Sequence, residues 1–181
     1  MCNLFLLVNS DLDAYRENGK IAWTEPSIFL VIMFRLMSCL KKIKISFIRL
    51  SLTILFMPIY IFLSILLGIN IPRSTIVGKG LRIHHFGCII INSYCVIGNY
   101  CIIRHGVTIG NKNQNDDCPV IGNNCDIGAG AKILGKIKIG NNVTIGANAV
   151  VLIDLPDNCI AVGVPAKVIK FKIIDTTSAS I

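Results

Sequence analysis

A six-residue spacing of aliphatic side chains dominates the second half of the chain. From residue 91 to residue 151 every sixth position is isoleucine or valine, except Asn115. Neither an amphipathic helix nor a single strand has a period of six. A coil of short strands and tight turns does, because three hexads close one triangular turn and successive turns stack their aliphatic residues. The spacing therefore predicts a mainly β fold, a parallel β-helix.

A second set of mostly small apolar residues lies two positions before the aliphatic ones. Its members are Ile89, Cys95, Cys101, Val107, Cys125, Ala131, Ile137, Val143 and Ala149. Positions i and i−2 of a strand share a face, so we expect both sets in the core. Glycine follows many of the aliphatic residues, which is typical of turns with unusual backbone dihedrals. An earlier run with the same spacing starts the β-helix at residue 69.

Two segments interrupt the repeat. The step before Ile91 is eight residues long, and the interruption contains His84 and His85. Residues 110–119 are polar and are predicted to leave the coil as a loop. His85 is the candidate general base, because a histidine of ordinary pKa can take a proton from a hydroxyl near neutral pH. The alternative is a histidine that only caps a turn. His105 is expected to face outward, and its predicted position beneath the loop would allow a ligand contact.

Residues 1–68 are predicted to form a helical, strongly apolar region. The segment 10–15 offers capping residues for the start of a helix. Residues 27–40 are apolar except for Arg35, a basic strip follows, and residues 50–69 contain no charge and are interrupted by Pro58. That length is sufficient to span a bilayer. Three interpretations stay open: a membrane span, an interfacial helix pair held on anionic lipid by the basic strip, and a buried helical hairpin at an oligomer interface.

Composition narrows the function classes. Charged residues make up 15% of the 181 residues, and this low fraction argues against disorder. The formal net charge of the chain is +8. The chain has no helix-turn-helix, zinc-finger or aromatic RNA-binding pattern, so we expect no nucleic-acid partner. Eight cysteines occur without a C-x2-C pair, so no metal site is expected. We predict reduced thiols and a cytosolic compartment.

Residues 70–169 resemble the hexapeptide-repeat acyltransferases, and in particular their serine acetyltransferase branch. The segments 127–135, 145–147 and 163–167 carry the resemblance, together with the histidine-bearing interruption and the loop. The resemblance implies a left-handed β-helix, a homotrimer and acetyl-CoA bound along the coil between neighbouring subunits. The predicted organisation is a helical region over residues 1–68, an acetyltransferase β-helix over 69–169 and a tail over 170–181.

The resemblance also implies roles for individual residues. His85 matches the catalytic histidine that deprotonates the acceptor hydroxyl. Asn70 stands where the family has the aspartate that partners this histidine, and an asparagine can orient a ring but cannot stabilise an imidazolium by its charge. The positions matched to cofactor contacts are Gly110, Ala129, Ala147 and Lys167.

The acceptor-binding positions depart from the serine acetyltransferase pattern. His84 replaces an acidic residue, and Asp117 and Cys118 replace an arginine and a histidine of the loop. The carboxylate of an amino acid would meet repulsion from Asp116 and Asp117, whereas Asp and Asn suit sugar hydroxyls. The loop and the apolar N-terminal region resemble enzymes of capsule and exopolysaccharide gene clusters.

These observations predict an acetyl-CoA-dependent O-acetyltransferase. We expect its acceptor to be a hydroxyl on a surface-polysaccharide sugar or a precursor, and we expect it in the cytoplasm or peripherally at the cytoplasmic face of the membrane through residues 27–68. The alternatives are a serine O-acetyltransferase of cysteine biosynthesis, an amino-sugar N-acetyltransferase, and a non-catalytic β-helix scaffold.

Overall fold

The computed structural model describes residues 3–114 and 116–173. Three helices lie in the N-terminal region: α1 (Leu4–Ala14), α2 (Ser27–Leu40) and α3 (Ser46–Leu67). A short hairpin of β1 (Arg16–Glu17) and β2 (Lys20–Ile21) lies between α1 and α2. The strands after α3 are β3 (Ile69–Asn70), β4 (Ile76–Val77), β5 (Arg82–His84), β6 (Ile89–Ile91), β7 (Val96–Ile97), β8 (Ile102–Arg104), β9 (Thr108–Gly110), β10 (Val120–Ile121), β11 (Asp126–Ile127), β12 (Lys132–Leu134), β13 (Lys138–Ile139), β14 (Thr144–Ile145), β15 (Val150–Val151), β16 (Cys159–Val162) and β17 (Lys167–Phe171).

The strands after α3 form the predicted parallel β-helix. Strands β4, β7, β10 and β13 make sheet I, β5, β8, β11, β14, β16 and β17 make sheet II, and β3, β6, β9, β12 and β15 make sheet III. All neighbours are parallel except β16 and β17, which are antiparallel. The last strand extends past the predicted domain boundary at residue 169. Left-handedness stays a prediction from the resemblance.

Both predicted sets of inward residues are confirmed as the core. The aliphatic stack includes Ile97, Ile103, Ile109, Ile121, Ile127, Ile133, Ile139, Ile145 and Val151, all buried. The second set, from Ile89 to Ala149, is buried as well. Two predictions lie outside the described residues: the polar residue at position 115 of the repeat, and the frayed tail beyond residue 173.

The glycines that follow the aliphatic residues are required for a different physical reason from the predicted one. Gly98, Gly122 and Gly140 do not adopt a positive φ. A Cβ added at Gly98 would lie 2.4 Å from the Gly122 carbonyl oxygen, and one at Gly122 would lie 2.6 Å from that of Gly140. Close approach between consecutive coils therefore requires these glycines. The positive φ values fall two residues later, for example at Tyr100 and Asn124.

An asparagine ladder joins the coils at the corner between sheets I and II. The Asn99 side chain donates to the Asn123 oxygen at 3.0 Å, and Asn123 donates to the Asn141 oxygen at 3.1 Å. The side-chain oxygens of Asn99, Asn123 and Asn141 also accept the backbone N–H groups of Lys79, Asn99 and Asn123, respectively. Each side chain thus accepts a backbone N–H from a turn of the preceding coil. Backbone donors at tight turns need such a partner, because no strand pairing satisfies them.

The N-terminal region departs from prediction at its first helix. The segment 10–15 ends α1 instead of starting a helix, and the N-cap is Asn3, whose side chain accepts from the Leu6 N–H at 3.1 Å. The predicted capping residue Asp11 is buried, because it pairs with Arg35.

The Asp11–Arg35 ion pair fastens both helices to the β-helix. Arg35 donates to the two Asp11 carboxylate oxygens at 2.7 and 3.0 Å and to the Val77 carbonyl at 2.7 Å. Asp11 also accepts the Leu81 N–H at 2.8 Å. Both side chains are nearly inaccessible to solvent, so each charge depends on its partner.

Helices α2 and α3 differ in burial. α2 buries eight residues, among them Phe34 and Met37, whereas α3 buries only Tyr60 and Leu67. By length and composition alone, α3 is the one helix in the described chain that is long and apolar enough to cross a membrane. The three interpretations of this region therefore stay predictions, since each of them places the exposed side of α3 against a partner outside this chain.

The cysteines agree with the prediction in part. Among the described residues, Cys88, Cys95, Cys101, Cys118, Cys125 and Cys159 form no disulfide. Cys39 is disulfide-bonded, so the prediction of reduced thiols is wrong for this residue.

We predict that Arg35→Ala strongly destabilises the fold, because it leaves a buried carboxylate without its counter-charge. The free energy of unfolding, measured by urea denaturation, should fall by about 3–5 kcal/mol. Arg16→Ala is the matched control, since Arg16 pairs with Asp13 on the surface at 2.8 Å; its effect should stay within about 1 kcal/mol. Equal effects of the two substitutions would contradict the importance given to the buried pair.

Candidate active site

The histidine-bearing interruption forms one corner of the β-helix, between sheets II and III. His85 directly follows β5 and has a φ of 60°, a left-handed conformation that few non-glycine residues adopt. The two extra residues widen the turn here, and the side chain of His85 is exposed. The predicted general base is therefore held on a solvent-facing corner by a backbone conformation that the neighbouring strands impose.

The structure brings a carboxylate to this corner that the sequence did not indicate. Glu25, at the start of α2, places Oε1 3.5 Å from His84 Nδ1. Its Oε2 accepts the His85 backbone N–H at 3.4 Å. Glu25 and His85 are separated by 60 positions in the sequence, so no local motif points to the contact. Glu25 supplies the negative charge that is missing near His85 in the sequence.

The environment of His84 favours a neutral imidazole. Burial lowers the pKa of His84, the Arg82 charge adds to the lowering, and Glu25 opposes it. The His84 ring centre lies 5.6 Å from that of His85. A neutral His84 ring therefore adds no positive charge to this corner.

His105 completes a cluster of all three histidines of the chain. Its ring centre lies 6.0 Å from that of His85, because β5 and β8 pair in register and His105 follows β8 as His85 follows β5. His105 is exposed, as predicted. The sequence predicted a position beneath the loop for His105, whereas the loop leaves the coil at a different corner, between β9 and β10.

Below His105 the same corner continues with small residues. The pairing of β8, β11 and β14 places Ala129 and then Ala147 beneath His105. The backbone supports this order, since Gly130 N–H donates to the His105 carbonyl and Asn148 N–H to the Ala129 carbonyl. We call the column of His85, His105, Ala129 and Ala147 the histidine corner. It spans about 14 Å at the usual strand spacing.

Lys167 lies beyond the lower end of the histidine corner. It begins β17, which pairs with β16, and β16 pairs with β14 just before Ala147. Its side chain is exposed and forms no ion pair within the described chain. The column thus runs from an imidazole, past the half-buried Ala129 and the exposed Ala147, to a cation. It suits an extended ligand with an anionic end.

The predicted acceptor-binding loop lies at a different corner, between sheets III and I. Residues 111–119 connect β9 to β10, and Asp117 and Asp116 line a cavity of about 280 Å³ together with Asn113, Gln114 and Lys136. We call this the loop corner. Within one chain, sheet III separates it from the histidine corner.

Besides the two aspartates of the loop corner, three predicted site residues are not brought to the histidine corner. Asn70 is exposed in β3, and no described hydrogen bond joins its side chain to His85. Gly110 is buried at the end of β9, where its carbonyl accepts the Gly135 N–H. Cys118 is buried in the core, and burial raises the pKa of its thiol. Its burial argues against the predicted acceptor contact. Within residues 3–114 and 116–173, no cluster of three or more metal-ligating side chains occurs.

The fold and the histidine corner define a hexapeptide-repeat transferase. A family model described as bacterial transferase hexapeptide (six repeats) matches residues 118–152. A serine acetyltransferase of Helicobacter pylori is 38% identical over 158 residues, which cover 86% of this chain and 88% of that one. The chain belongs to the serine acetyltransferase family.

Other relatives differ in their named substrates. A serine acetyltransferase of Synechococcus elongatus is 43% identical over 58% of this chain, but the match covers only 44% of that protein. A putative colanic acid biosynthesis acetyltransferase, WcaB of Escherichia coli, is 46% identical over 56% of this chain and 63% of its own length. The chain therefore spans about half the length of these two relatives.

Solved structures agree with the family assignment. Neisseria gonorrhoeae serine acetyltransferase superposes with a TM-score of 0.78 and 30% identity, over 96% of this chain and 68% of that chain. A serine acetyltransferase in complex with CoA superposes with a TM-score of 0.75 and 29% identity, over 92% and 69% of the two chains.

We predict that Glu25→Gln lowers the pKa of His84, because Glu25 is the carboxylate that raises it. NMR titration of the three histidine side chains measures the change directly and needs no substrate. Asp13→Asn is the matched control, since it removes an exposed carboxylate of α1 that pairs with Arg16. Superimposable His84 titration curves for the wild type and Glu25→Gln would contradict the contact.

Proposed function

We propose that the protein is an acetyl-CoA-dependent O-acetyltransferase whose acceptor is a sugar hydroxyl. The observation that carries the proposal is the histidine corner, where an exposed imidazole heads a column of small residues that ends near a lysine. Serine acetyltransferase relatives, one of them in complex with CoA, support the choice of acetyl donor.

In the proposed reaction His85 acts as the general base. Its neutral imidazole takes the proton of the acceptor hydroxyl while the hydroxyl oxygen attacks the thioester carbonyl carbon of acetyl-CoA. The C–S bond then breaks, the acetyl group stays on the acceptor oxygen, and the CoA sulfur leaves and takes up the proton. The Glu25 carboxylate, which accepts the His85 backbone N–H, adds negative charge to the corner where the imidazolium forms.

The loop corner favours a sugar as acceptor. Its cavity is lined by amide and carboxylate groups of Asn113, Gln114, Asp116 and Asp117, and such groups suit neutral hydroxyls. The relative named for colanic acid biosynthesis is consistent with this acceptor class. The serine alternative is favoured by the Helicobacter relative, which the chain covers almost completely. It is also favoured by Lys136, the one cation lining the described part of the cavity, because a cation suits the carboxylate of an amino acid.

We infer a homotrimer, because a complete site requires two corners. The histidine corner carries the base and the loop corner carries the predicted acceptor contacts, yet sheet III separates them within one chain. Packing the histidine corner of one subunit against the loop corner of the next joins them, and a closed ring of three copies repeats this contact without free ends. Gly110, adjacent to the loop, then lies near the acetyl donor of the neighbouring subunit.

We expect purified protein to consume acetyl-CoA with sugars and not with L-serine, measured as loss of thioester absorbance together with mass analysis of the product. His85→Ala should reduce the rate by about 10²–10⁴-fold, the usual contribution of a general base. Cys88→Ser, in the same exposed turn, is the matched control and should remain active. Activity on serine alone, lost in His85→Ala, would assign the serine alternative, and absence of CoA binding would leave a scaffold.

We expect Lys167→Gln to raise the KM for acetyl-CoA by about tenfold, which is the loss of one charge-assisted contact to phosphate. The kcat should change little, because Lys167 lies far from the reacting atoms. Lys170→Gln, on the same strand, is the matched control. With acetyl-pantetheine, which has no phosphates, the wild type and Lys167→Gln should not differ; a difference there would contradict a phosphate contact.

A further inference from the structure

Positive charge is concentrated in one continuous part of the chain. Residues 26–115 contain ten Lys or Arg residues and no Asp or Glu. All of α2, α3 and the first coils of the β-helix lie in this part. Carboxylates from other parts of the chain pair with three of these ten cations, Arg35, Arg82 and Arg104. The other seven have no carboxylate partner in the described chain, so their field attracts an anionic surface.

One side of α3 is an exposed apolar stripe along its whole length. We call this side the α3 face, and its members are Phe47, Leu50, Ile54, Ile61, Phe62 and Ile65. Each of these side chains is at least 49% exposed. A contiguous exposed apolar surface along a whole helix marks an interaction site.

The opposite side of α3 is attached to the protein. Leu52, Phe56 and Leu63 pack against the core. The Tyr60 hydroxyl donates to the Ile71 carbonyl, and Gly68 ends the helix in a left-handed conformation directly before β3. A helix held along one side cannot be surrounded by lipid. This favours a helix lying in a membrane interface over one that crosses the bilayer.

A cationic cleft adjoins the N-terminal end of the α3 face. Lys41, Arg49 and Arg73 line it together with Ser46 and Thr53, and its volume is about 440 Å³. Lys42 and Lys44 are exposed beside it. None of these five cations forms an ion pair in the described parts of the chain. The cleft therefore offers cationic groups without a carboxylate partner, which are of the kind that bind phosphate.

We propose that the α3 face and the cationic cleft together dock the protein on an anionic lipid bilayer. The α3 face enters the boundary between headgroups and acyl chains, and the cleft holds lipid phosphates at the depth where they occur. A second copy of the chain suits the surface less well, because its own α2–α3 region carries cations and no carboxylates. The docking does not depend on the proposed acetyl transfer and is tested without it.

The test is flotation of the full chain with vesicles, one set of neutral phosphatidylcholine and one set containing 30% phosphatidylglycerol. We expect binding to the anionic vesicles, weakened by salt. The triple variant Lys41→Glu/Arg49→Glu/Arg73→Glu should bind at least roughly 100-fold more weakly, since each basic residue near such a surface contributes about fivefold. Phe62→Ser/Ile65→Ser should also release the protein, without changing its charge.

The charge-matched control is Lys20→Glu/Lys138→Glu/Lys170→Glu, which alters exposed lysines outside the cleft by the same net charge. It should keep most of the vesicle binding. Equal losses in the two triple variants would overturn the cleft as a specific site. Failure to bind vesicles, combined with an oligomer that dissociates in Phe62→Ser/Ile65→Ser, would assign the α3 face to a second copy. Resistance to alkaline extraction from membranes would indicate a span and would also overturn the proposal.

Discussion

Stacking of coils in register is the constraint on which this structure depends. Parallel strands of successive coils must lie about 4.8 Å apart, so each coil must repeat the backbone path of the one before it. Gly98 and Gly122 show how little room this leaves, since a Cβ at either would lie within 2.6 Å of a carbonyl oxygen of the next coil. The asparagine ladder of Asn99, Asn123 and Asn141 serves the same constraint at a corner.

The same constraint decides where chemistry can be placed. Side chains far apart in sequence come into columns at the corners, as His85, His105 and Ala129 do through the pairing of β5, β8 and β11. Extra residues fit only where the chain turns, because an insertion within a strand would shift every later pair. Both interruptions therefore occur at corners, and they occur at different ones. A site that uses both must be completed by another subunit, which is the physical reason for the inferred trimer.

The period of six was sufficient to predict the core, because the spacing and the burial of Ile97 through Val151 have the same cause. The same period pointed to His85 as a candidate site residue, since the interruption of the repeat that contains it is visible in the sequence. Glu25 was missed, because only packing of α2 on the β-helix brings it to the histidines. The role of Asp11 was mistaken for the same reason: a local capping pattern gave no sign of a buried arginine from another helix.

The position of the cationic cleft relative to the loop corner links the two proposals. Arg73 follows β3, and residues 111–119 follow β9, so both lie at the corner between sheets III and I, two coils apart. At the usual strand spacing this separation is about 10 Å along the coil axis. A lipid phosphate held by the cleft would thus lie at the edge of the subunit that carries the acceptor loop. An acceptor sugar joined to lipid through a phosphate would be presented at this edge, whereas free serine would gain nothing from a membrane surface.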